Sequence, residues 1–146
     1  MRHIKAMLLV AVCMMLVTSC DKEDDVTEIF NGHRFKITGL TYNGTKVISE
    51  VNQFYESENT YYIVFNSLTF QGVLQSGTTV EGTWKADGST RSFSMTFGNA
   101  TNMSGANAMC NNVYNVLRNA TSYSGDKNVI RIIRDKDSYI ELSSMQ

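Results

Sequence analysis

Few side chains in this sequence are equipped for chemistry. Cysteine occurs at Cys13, Cys20 and Cys110, and histidine at His3 and His33. A closed zinc site takes four thiolate or imidazole ligands, yet Cys110 is neighboured in sequence by Ala106, Met109, Val113 and Leu117. That company suits a buried structural thiol. His33 follows Asn31-Gly32 and reads as an edge or solvent-facing histidine. A Ser-His-Asp triad assembles in space, not in sequence, but no Gly-x-Ser-x-Gly elbow is present to supply its nucleophile. Asp135 and Asp137 flank Lys136, and Asp87 precedes Gly88, so these carboxylates read as turn residues before they read as an acid–base pair. No catalytic residue, metal or cofactor is expected.

Cys20 stands apart. It ends the run Leu16-Val17-Thr18-Ser19-Cys20, behind Arg2, Lys5 and an unbroken apolar stretch from Ala6 to Val17. A dozen residues make about 18 Å of helix, whereas a spanning helix needs about 20 residues to cross about 30 Å of hydrocarbon. A basic start followed by a short apolar run is the pattern of a secretory signal.

Val17-Thr18-Ser19-Cys20 resembles the bacterial lipobox, an aliphatic residue and two small ones before an obligatory cysteine. The resemblance implies a diacylglycerol thioether on Cys20 Sγ and cleavage that makes Cys20 the mature N-terminus. Each buried acyl CH₂ contributes about 0.8 kcal/mol, so several chains hold a small domain on a bilayer. Asp21, Lys22, Glu23, Asp24 and Asp25 resemble the acidic tether of Bacteroidetes-type lipoproteins sent to the outer face of the outer membrane. A solvated spacer is the plainer reading of the same acids, with the protein then facing the periplasm. The expected organisation is a signal peptide over 1–19, a lipidated cysteine and acidic tether over 20–29, and one β-rich domain over 30–146.

The elements that must position any further site are mostly strands. The chain contains no proline and is rich in turn-forming Gly, Ser, Thr and Asn. Beyond Asp25 ten basic residues face ten acidic ones without a basic cluster, which argues against nucleic acid as a partner. Alternation predicts strands in HRFKITGLTY, TYYIVFN, LTFQGVLQ, TTVEGTW and RSFSMTF, with a turn over Lys85–Gly88. Val47, Ile48, Val51, Phe54 and Tyr55 are spaced as in a short helix. Ala106, Met109, Cys110, Val113, Val116, Leu117 and Ala120 form one apolar face of a helix predicted from Ser104, its N-cap, to Asn119. NVIRIIR and SYIEL close the chain around Asp135-Lys136-Asp137. Short strands at this spacing predict an antiparallel meander.

The segment from Met109 to Leu142 is similar to the C-terminal part of META-type domains, small bacterial envelope domains with a partly open barrel and one packed helix. The matching positions are Met109 or Cys110 at the helix start, Leu117 near its end, Tyr123 in a loop, and strands at Val129–Ile133 and Tyr139–Leu142. The whole chain also resembles lipocalin-like Bacteroidetes lipoproteins of unknown function, through Gly82-Thr83-Trp84 and Tyr123-Ser124-Gly125-Asp126. These resemblances imply a mainly β fold, a small partly open barrel with one amphipathic helix before its last two strands. They carry over no catalytic residues.

Aromatic residues at Tyr61, Tyr62, Phe65, Phe70, Trp84, Phe93 and Phe97 fall in predicted strands and are core by default. In an open barrel, Trp84 with Tyr61 and Tyr62 could instead line the mouth and stack on a sugar ring or apolar ligand. The expected function is therefore a non-enzymatic module, lipid-anchored at the cell outer membrane, that binds a small ligand, a glycan or an envelope protein. An envelope-stress or inhibitor-type interaction protein is the alternative.

Overall fold

A computed structural model describes residues 23–47 and 57–145. Helix α1 (Glu23–Phe30) leads into β1 (Arg34–Tyr42), and a tight turn joins β1 to the two-residue β2 (Thr45–Lys46). The meander continues through β3 (Tyr62–Phe65), β4 (Thr69–Val73), β5 (Thr79–Asp87) and β6 (Ser92–Ala100). A 3₁₀ turn (Met103–Gly105) and helix α2 (Ala108–Arg118) precede β7 (Ser122–Gly125), β8 (Val129–Asp135) and β9 (Ser138–Met145). All neighbouring strands are antiparallel, and β9 pairs back onto β1 from Thr41↔Tyr139 to Arg34↔Met145. The meander that the strand spacing predicts thus closes into a ring, as the resemblances imply.

The ring is uneven. β5 and β6 pair over almost their whole length, whereas β6 and β7 share the single pair Ser92↔Ser122. Above that pair the strands part, and α2, inserted between them in sequence, fills the gap by packing on β6, β8 and β9. Its apolar face buries Met109, Cys110, Val113, Val116 and Leu117. The helix starts later than Ser104: Asn107 is the N-cap, and its side chain accepts the Cys110 N–H at 2.8 Å. That bond meets one of the four donors a helix start leaves open. The C-terminal stop at Asn119 stands as expected.

Two local departures re-aim side chains. A register shift between Ile37 and Gly39 breaks the alternation of β1, so Leu40 is buried beside Phe35 and Ile37 rather than opposite them. The β5–β6 turn lies beyond the predicted Lys85–Gly88, because β5 runs on to Asp87. Tyr123, expected in a loop, lies in β7. The helix considered over residues 47–55 falls almost wholly outside the described residues.

The segment expected as a tether over 20–29 overlaps a helix. It is helical from Glu23, because Val26, Ile29 and Phe30 recur at helical spacing and one face is drawn into the core. Phe30 has no exposed surface and stands 5.1–5.3 Å, centroid to centroid, from Phe65, Trp84, Phe93 and Tyr123. Helix α1 is a plug for the end of the ring where β3 ends and β6 begins.

Candidate functional site

That plug decides the role of Trp84. Its ring lies 5.4 Å from Phe65 and 6.3 Å from Phe93, and its Nε1 donates to the Asn66 carbonyl at 2.8 Å. Pairs of rings at these separations pack favourably edge-on or offset. Trp84 is a core residue with its one polar group satisfied.

Tyr61 immediately precedes β3 and is buried, whereas Tyr62, the first residue of β3, is only partly so. Tyr62 lies on the outer face, with the Arg34 guanidinium 3.9 Å above its ring. Tyr61 turns inward at the end of the ring opposite α1, with φ of 49°, a left-handed conformation rare for a bulky residue. Its N–H donates to the Leu74 carbonyl at 2.8 Å and its carbonyl accepts from Ile37 at 2.7 Å. The three aromatic candidates do not share a site. Among them only Tyr61 borders the cleft described next.

At the end opposite α1, a cleft of about 380 Å³ lies against Ser57, Asn59, Thr60, Tyr61, Gln75 and Asn107. Among the described residues, none of its lining side chains is an acid, lysine, arginine or histidine. Three loops frame it, and they are tied together. Gln75 reaches across to donate to the Gly105 carbonyl (3.2 Å) and to accept the Asn107 N–H (2.9 Å). Asn102 donates to the Gly77 carbonyl at 2.7 Å. On the far side the Lys36 amine, almost buried, donates to the carbonyls of Ser57 (2.7 Å) and Thr60. Burial, and secondarily the Arg34 charge, lowers the Lys36 pKa from its ordinary value, with Glu58 opposing. Such cross-linking holds the walls of a cleft in place before anything binds. The chemistry on offer is amide and hydroxyl hydrogen bonding without net charge.

Sequence reading missed Gln75, Asn59 and Asn107. Each belongs to a polar loop, and nothing in their local pattern separates a cleft from an ordinary turn. Cys110 lies behind this cleft, fully buried, and burial raises its thiol pKa. His33 is half-buried at the other end, its ring 6.2 Å from that of Phe35. Among the described residues no three His, Cys, Asp or Glu side chains are grouped to hold a metal, and no helix is long and apolar enough to cross a membrane. Cys20 lies outside the described residues.

These features define a class: a ring of antiparallel strands with an aromatic interior, plugged by one helix and completed by a second. The chain belongs to the family described as Domain of unknown function (DUF4847), whose model matches residues 21–144. Its fold is similar to that of a DUF4847 family protein from Bacteroides vulgatus ATCC 8482, with a TM-score of 0.66 and 24% identity over 81% of this chain and 96% of that one. No curated protein matches the chain.

Proposed function

We propose that this is a lipid-anchored bacterial cell-envelope protein, attached through Cys20, whose domain binds a neutral polar ligand or partner without catalysis. Attachment rests on the lipobox resemblance, and placement at the outer membrane on the acids behind it. The observation that carries binding is the uncharged, cross-braced cleft beside Tyr61. Neutral amides and hydroxyls are the groups that recognise sugar hydroxyls or exposed peptide amides. With the barrel axis filled by Phe30 and its four ring neighbours, a lipocalin-type interior ligand is the weaker version of this reading.

A ligand that binds the folded form alone raises stability, by about 2.7 kcal/mol at one hundred times its dissociation constant. Neutral oligosaccharides and short uncharged peptides at millimolar concentration should include one that raises Tm. Ser76→Trp, placed at an exposed position on the cleft wall, should abolish that rise while leaving the unliganded Tm unchanged. No response from any neutral ligand, or a response that survives Ser76→Trp, would overturn the cleft as the site.

A further inference from the structure

The two ends of the ring differ in a way that the cleft does not explain. Among the described residues, the large apolar side chains left exposed are Leu68, at 72%, and Val129, at 54%. Both lie at the end plugged by α1. Leu68 is in the β3–β4 turn, where its carbonyl accepts the Trp84 N–H at 3.2 Å. Val129 is the first residue of β8, beside the turn whose Lys127 pairs with Glu28 of α1 at 3.3 Å. Among the described residues, the turns at the other end expose Asn43, Gly44, Ser76, Gly77, Lys136 and Asp137, with no large apolar side chain.

The chain itself says what lies against the α1 end. Helix α1 begins at Glu23, three residues after Cys20, a span of at most about 10 Å for extended chain. Its inward face is pinned by Phe30, so the helix lies across the end of the ring and cannot carry the domain away from its anchor. We infer that the α1 end is the face that rests on the bilayer, with Leu68 and Val129 entering the interfacial layer on opposite sides of the rim. This rests on the proposed acylation of Cys20. Apolar side chains next to an acyl anchor add interfacial burial to the lipid's own hold. The cleft beside Tyr61 is then held beyond the far end of the five-residue β4, about 17 Å along it from the Leu68 turn, and faces outward.

The test uses the full-length gene product purified from membranes and reconstituted in phosphatidylethanolamine–phosphatidylglycerol vesicles. Leu68→Cys, Val129→Cys and Ser76→Cys each receive a bimane label. All three positions are exposed, so the fold is not at risk, and Cys110 is buried away from the reagent. A nitroxide-bearing lipid should quench bimane at 68 and 129 several-fold more than at 76. Equal quenching, or stronger quenching at 76, would overturn the orientation. The intact mass of the same preparation reads acylation separately. Acylated protein with aqueous labels at 68 and 129 sinks this inference alone, whereas protein without acyl mass on Cys20 sinks the anchoring proposal and the orientation with it.

Discussion

The Phe30 ring, carried by α1, stands 5.1 Å from the indole of Trp84 in mid-sheet. A residue from just behind an acid cluster thus completes the aromatic centre of the domain. Phe30→Ala should remove the plug, costing roughly 3–5 kcal/mol through lost burial and a residual cavity. Urea unfolding followed by tryptophan fluorescence checks this, with a lower midpoint and a red-shifted native spectrum as water reaches Trp84. An unchanged midpoint would mean that α1 is dispensable.

Gly82 faces the β6 backbone so closely that an added Cβ would collide with the Thr96 carbonyl oxygen, while the Cβ of an alanine at Gly98 would meet nothing nearer than 3.9 Å. Gly82→Ala should therefore cost several kcal/mol or prevent folding, and Gly98→Ala should change stability by less than about 1 kcal/mol. Soluble yield and Tm of the pair decide it. Similar values for both would show that the β5–β6 approach can relax.

Cys110 has no exposed surface and its thiol pKa is raised by burial, so little thiolate is available near neutrality. At pH 8 the folded protein should react with a thiol reagent at least a hundredfold more slowly than the urea-unfolded protein. Equal rates would contradict the packing of α2 against the ring.

Asp87, Asp126 and Asp135 each cap a turn. Asp87 accepts from Ser89, Asp126 from the Asn128 and Val129 N–H groups, and Asp135 from Arg134 and the Asp137 N–H. These hydrogen bonds lower all three carboxyl pKa values. A depressed folded pKa adds stability that is present above about pH 4, the unfolded value, and is lost as pH falls through the folded one. Tm should decline below pH 4, and the Asp87→Asn/Asp126→Asn double variant should decline less steeply. Parallel acid profiles would remove these turns as the cause.

Much of this architecture is legible in the sequence because the strands bury one face. Phe93 and Met95 alternate with Ser92 and Ser94, and the apolar stripe of α2 is continuous from Met109 to Leu117. Other features hide for physical reasons. Helix α1 is short and begins among acids, so only Val26, Ile29 and Phe30 betray it. β7 contributes a single buried side chain, Tyr123, too few to show a period. The bulge in β1 shifts Leu40 into the core, and its one sign in sequence, Gly39, also fits an unbroken alternation. The cleft is least legible, since it is assembled from loops around residues 57–60, 75–77 and 107 whose proximity only the ring creates.

The pairing of β1 with β9 has a consequence in time. Ile37 lies opposite Leu142, so the seam that closes the ring joins residues separated by nearly the whole domain. Such non-local pairings form slowly, because their loop-closure entropy is spent before any contact rewards it. The local hairpins β3–β4, β5–β6 and β8–β9 can form early, but β1 has only β2 and β3 for company until the last strand arrives. A chain emerging through a pore would stay an incomplete, open sheet until β9 had cleared it, and only then would the ring lock.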